Sequence, residues 1–122
     1  MTLYHFEAFA PSGQSIGGVI EAEQEVMAAL TDTLMYTYAL ESVILRARKV
    51  SSAQDMATVF AATAFERIES AARSILAACS SGDALRTNLA VLRRFTRQLP
   101  PDTVALRRRI ATRLIDTGRY VV

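Results

Sequence analysis

Residues 30–47 read LTDTLMYTYALESVILRA, and this run decides the fold. It contains neither Gly nor Pro, and apolar side chains recur at three- and four-residue spacing through Leu30, Leu34, Tyr38, Ile44 and Leu45. That is the period of a helix, not of a strand. Together with Val26 and Met27 these residues cover more than one face, which predicts a helix buried on several sides and placed at the centre of a bundle. Asp32, Glu41 and the threonines within the run argue against a membrane span. Before it, Glu21, Glu23 and Glu25 stand where negative charge complements a helix N-terminus, and at its end Arg46, Arg48 and Lys49 stand where positive charge complements a helix C-terminus.

Working outward, Ser51 and Ser52, followed three residues later by Gln54 and Asp55, resemble capping sequences and open a second helix that runs to about Ser80, before Gly82. Its stripe of Phe60, Ala64, Ile68, Ala71, Ile75 and Cys79 is rich in alanine. Small residues let helix axes approach closely, so helices one and two are expected to form a tight antiparallel hairpin. Asp83 is placed to cap a third helix ending at Leu99, because Pro100 and Pro101 cannot continue it. Asp102 then caps a fourth helix, which Gly118 ends. The segment 1–20 carries Pro11, Gly13, Gly17 and Gly18 and shows no sustained period, which predicts an irregular arm or linker. Its aromatic residues Tyr4, Phe6 and Phe9 suit docking on something apolar. The fold class expected is therefore all-α: a small bundle of about four helices over 21–122, with an irregular N-terminal arm over 1–20 and no sheet.

Composition agrees with one compact domain, since 122 residues of which 51% are apolar can enclose a single core. A lone Cys79 excludes an internal disulfide, and a lone His5 leaves no ligand set for a structural metal. No export signal is visible at the start, so a reducing, cytoplasmic setting is expected. Charge is uneven. Residues 1–82 carry a net −4, whereas residues 83–122, with nine arginines against three aspartates, carry +6. Helices of the acidic part folding against the basic part would explain the asymmetry, as would a basic surface for nucleic acid or a membrane.

Catalytic chemistry finds little footing. Nucleophilic catalysis needs an activated Ser or Cys beside a base, yet His5 lies in the arm and Cys79 lies on an apolar stripe, as a buried thiol would. The segment GQSIGG at 13–18 lacks the Lys and the spacing of a P-loop. Asp32 and Glu41 fall on different faces and make no glycosidase pair. Glu41 shares the angular sector of Leu30, Leu34 and Leu45, and a carboxylate buried there is costly unless paired. A structural ion pair with an arginine of a neighbouring helix is expected for it, and Arg107, between two apolar ridges of the fourth helix, is expected to pair likewise.

The third helix is amphipathic, with Leu85, Leu89, Leu92, Phe95 and Leu99 on one side and Arg86, Arg93, Arg94 and Arg97 on the other. Those four arginines form a candidate docking or membrane face. The same pattern also fits an ordinary bundle helix with a solvated side. Sequence-specific nucleic-acid binding is not expected, because no recognition helix behind a short turn can be located.

The run at 30–47 resembles the opening of the C-terminal helical extension of long-chain and very-long-chain-type acyl-CoA dehydrogenases, and EAEQEV at 21–26 is similar to bacterial members. AFERIESAARSILAA at 64–78 and RRRIATRLIDTGRYV at 107–121 resemble the same extension, so the likeness covers roughly 21–122. It implies a non-catalytic piece of a flavin enzyme that dehydrogenates acyl-CoA at the α and β carbons in fatty-acid β-oxidation. FAD would belong to the parent enzyme and no cofactor to this piece. The partners it implies are the catalytic domains of that parent and a second subunit in a homodimer, with peripheral contact at the inner membrane as a further expectation. No catalytic residue can be carried over, because the residues that hold flavin and the catalytic glutamate have no counterpart in the matched stretch. The alternative is a free-standing basic helical adaptor that binds anionic lipid or nucleic acid.

Overall fold

The computed structural model describes residues 2–9, 12–22 and 24–120. Two strands, β1 (Thr2–Phe9) and β2 (Ser15–Ala22), precede four helices: α1 (Gln24–Lys49), α2 (Gln54–Cys79), α3 (Gly82–Thr96) and α4 (Thr103–Thr117). Four helices are present, in the order read from the sequence.

The arm is not irregular. β1 and β2 pair antiparallel, from Thr2 opposite Ala22 to Phe9 opposite Ser15, so the expectation of no sheet is corrected to a two-stranded hairpin. Gly17 and Gly18 sit inside β2 opposite Glu7 and Phe6, and glycine there carries almost no strand preference, so the local signal is weak. Gly13, in the connection, has φ +81°, a left-handed conformation that glycine adopts without penalty. The side chains of Tyr4, Phe6 and Phe9 lie outside the described residues.

The turn between α1 and α2 is a short 3-10 segment, Ser51–Ala53, and it reverses the chain. Ala29, Asp32, Met35 and Tyr36 share a groove with Arg67, Ser70, Ala71 and Ser74, while Ile44, Ala47 and Arg48 share one with Gln54, Ala57, Thr58 and Ala61. Those pairings make the hairpin antiparallel. Among the described residues three of the five that are buried, Ala47, Ala53 and Ala64, are alanines, so backbones approach through small side chains rather than through interlocked large ones. Leu40 and Leu106 complete this thin core.

The centre of the bundle is α2, not α1. α1, α3 and α4 each pack on α2, and Ala64 at its middle is 0% exposed. α1 is covered on one side only; Leu34, Met35, Tyr38 and Leu45 face outward. An apolar surface that spans several faces was the basis for expecting burial all round, but periodicity reports which residues share a face and not which faces are covered.

Helix ends follow local chemistry where a side chain reaches. The Asp102 carboxylate accepts from the Ala105 amide at 2.9 Å, and Gly118 closes α4 at φ +65° with its amide donating to the Leu114 carbonyl at 2.9 Å. Ser51 and Ser52 instead enter the 3-10 turn and make no side-chain cap. Ser81, with no side-chain cap, precedes α3, while Asp83 lies inside its first turn. α3 stops at Thr96, three residues short of the expected Leu99, with Arg97 already extended at ψ 111°; Pro100 disfavours helix at Leu99 and has no amide to give the Thr96 carbonyl in a continued helix.

Candidate functional site

Among the described residues, the ion pairs between the acidic and basic parts of the bundle centre on Asp55. Asp55 in the first turn of α2 receives Arg109 at 3.1 Å and Arg113 at 3.0 Å, both from α4. Arg113 also donates to the Ser52 carbonyl at 2.9 Å, satisfying a group in the 3-10 turn. Met56 lies beside Ile110 and Leu114, so apolar packing backs the ionic contact. The expectation that acidic residues meet basic helices holds here. Arg109 and Arg113 were not singled out in the sequence, although their i, i+4 spacing on one face of α4 was visible.

Glu41 and Arg107 are placed differently from what their patterns suggested. Both are exposed, and among the described residues the ion pairs are those of Asp55, Arg73 with Glu69, and Arg86 with Asp83. Glu41 does share a face with Leu34 and Leu45, but that face is the outward one, so solvation replaces the pairing. Cys79 is likewise exposed rather than buried, because it ends α2 beyond the span that other helices cover.

On α3 the apolar side is only partly used. Leu85, Leu89 and Leu92 are half-buried, whereas Phe95 is 76% exposed and Leu99, beyond the helix end, is 93% exposed. Arg93, Arg94 and Arg97 surround this apolar corner in sequence and are exposed, and Arg107 and Arg108 follow at the start of α4. Arg86 lies further back, reaching Asp83 at 3.4 Å. Two features therefore stand open to a partner: the outward stripe of α1 and the arginine-flanked corner between α3 and α4.

Among the described residues no group of three or more His, Cys, Asp or Glu gathers to hold a metal. The apolar groove lined by Val43, Arg46, Met56, Ala57 and Phe60, about 350 Å³, presents no acid or base to a substrate. No helix among the described residues is long and apolar enough to cross a membrane.

The family described as acyl-CoA dehydrogenase, C-terminal domain, matches residues 11–94, a stretch that includes β2, α1, α2 and most of α3. The chain belongs to this acyl-CoA dehydrogenase C-terminal domain family. It is also similar to a probable acyl-CoA dehydrogenase of Bacillus subtilis (strain 168), at 32% identity over 120 residues. That alignment covers 91% of this chain and 20% of the relative. The chain thus spans about a fifth of the length of the curated relative it matches.

FAD is the group an acyl-CoA dehydrogenase implies, and the Gly-rich stretch 13–18 does not form the turn into a helix N-terminus that cradles a pyrophosphate. The glycines of the 13–18 segment are divided between a turn and β2, where Gly17 and Gly18 pair across the hairpin. Successive amides of a strand point in opposite directions and do not converge on a pyrophosphate as those at a helix N-terminus do. No step of flavin chemistry is assigned to this chain.

Proposed function

We propose that the chain is the non-catalytic helical domain of an FAD-dependent acyl-CoA dehydrogenase of the long-chain or very-long-chain type. It packs on the catalytic domains and contributes to dimer assembly, while flavin and the acyl-CoA chemistry reside elsewhere in the parent. The observation that supports this most is the family match across α1, α2 and most of α3, of which α1 and α3 leave large apolar side chains facing solvent. A domain with only five buried core residues among those described has spare apolar surface of the kind that marks an interaction face. On this reading the purified chain is colourless and does not oxidise acyl-CoA. Copurification of a flavin band near ~450 nm with the chain alone would overturn it, since the cofactor carries that colour wherever it binds.

A second reading draws on the corner between α3 and α4. Phe95 and Leu99 stand clear of the bundle between exposed arginines, a pattern suited to peripheral contact with anionic lipid. Cosedimentation with anionic vesicles tests it. Binding that is retained on neutral vesicles would remove the role given to the arginines.

A further inference from the structure

The outward face of α1 has a composition unlike that of a solvated helix. At helical spacing it presents Thr31, Leu34, Met35, Tyr38, Ser42 and Leu45, with Leu34 63% and Tyr38 74% exposed. Its short hydroxyls are already satisfied. Thr31 donates to the Met27 carbonyl at 2.8 Å and Ser42 to the Tyr38 carbonyl at 2.9 Å, so covering them leaves no unpaired donor. Among the described residues, the polar groups still open in the middle of this stripe are the Tyr38 hydroxyl and, at its edge, the Glu41 carboxylate. Charge along the helix is graded: Glu25 and Asp32 lie in its first half, and Arg46, Arg48 and Lys49 in its last turn.

We infer that this stripe pairs with the same stripe of a second copy of the chain, the two α1 helices running antiparallel about a two-fold axis level with Ala39 and Leu40. This rests on the reading of the chain as an assembly domain and names the face used. An antiparallel copy is the partner that the charge gradient fits, because the acidic half of one helix then lies along the basic end of the other, twice by symmetry. At this register Leu34 meets Leu45 of the second copy, and Asp32 comes level with the second copy's Arg46 and Lys49. Glu41 comes level with the second copy's Tyr38, whose hydroxyl can donate to the carboxylate. Both open polar groups of the stripe then find each other, as burial requires. A contact along one helix lies at the low end of the ~1,200–2,000 Å² of stable interfaces, so the dimer is reversible and depends on concentration.

Sedimentation velocity of the full chain over a range of concentrations tests this. The wild-type chain should pass from monomer to dimer as concentration rises. Leu34→Asp with Leu45→Asp should weaken the dimer by roughly 100-fold or more, while the helical circular dichroism stays unchanged because both positions are exposed. Should that variant unfold, the charged rim provides the second arm. Asp32→Lys alone, and Arg46→Glu with Lys49→Glu alone, should each weaken the dimer, and combining all three in one chain should restore it. A chain that is monomeric throughout, or a dimer indifferent to both sets, overturns the inference. So does a combined variant no tighter than either part. A monomeric chain that still binds the catalytic region of an acyl-CoA dehydrogenase would overturn this pairing and leave the proposed function in place.

Discussion

Arg113 of α4 and Asp55 of α2 are 58 residues apart in sequence and 3.0 Å apart in space. This contact, with Arg109 at 3.1 Å on the other carboxylate oxygen, fixes α4 to the start of α2. The Asp55 side chain is 21% exposed, so the pair is partly shielded from solvent but not dehydrated. Charged hydrogen bonds in such a setting contribute about 1–3 kcal/mol. Asp55→Ala should therefore lower stability by about that amount, since it removes the carboxylate shared by Arg109 and Arg113 and leaves Arg113 only the Ser52 carbonyl. Urea unfolding checks the size, and hydrogen exchange should show the loss concentrated in α4. An unchanged midpoint would mean that Met56, Ile110 and Leu114 hold α4 without the ions.

Hydrogen exchange also locates the centre of the bundle. The slowest amides should lie around Ala64 in α2, which packs against the other three helices, and not in the 30–45 stretch of α1. Ala64→Leu should cost about 1–3 kcal/mol, because a fully buried alanine at a close helix crossing has no room for a larger side chain. Slowest exchange in α1 would restore it as the centre and imply that its outward stripe is covered in solution.

The caps of α4 give a local check. Asp102→Ala removes the 2.9 Å bond to the Ala105 amide and should cost about 1 kcal/mol. Gly118→Ala places a side chain at φ +65° and should likewise be destabilising. Thermal melts of the two single variants and their combination should give nearly additive losses, as the sites lie at opposite ends of the helix.

What could be read from the sequence divides along these same lines. Asp102 and Gly118 act through their immediate neighbours, so the limits of α4 were visible in the residues themselves, whereas the paired prolines showed that α3 must stop but not that it stops at Thr96, three residues before the expected Leu99. The alanine stripe of α2 likewise announced a close hairpin. The β-hairpin was hidden because Gly17 and Gly18 dilute its alternation and because strand pairing is a relation between segments. Glu41 shows the third case. Its angular position with Leu34 and Leu45 was read correctly, yet the side of α1 that faces α2 was set by packing that periodicity does not encode. The Asp55 cluster joins residues more than fifty positions apart, and only the fold brings them together.

The arginines of the α3–α4 corner yield a salt-dependent expectation. Attraction to an anionic surface is of order ~1 kcal/mol per residue, so Arg86, Arg93, Arg94 and Arg97 together should give weak vesicle binding that fades as salt rises. Changing all four to Gln should abolish it, and a parallel DNA titration should show no sequence preference. Tight DNA binding that persists at raised salt would favour the free-standing adaptor.

The most direct test of the docking role is to express this chain separately from the catalytic region of an acyl-CoA dehydrogenase that resembles its curated relative, mix the two, and follow gel filtration at two wavelengths. The account predicts one peak in which this chain co-elutes with the flavin absorbance of the catalytic region. Separate peaks at every concentration, with the chain eluting alone, would contradict it.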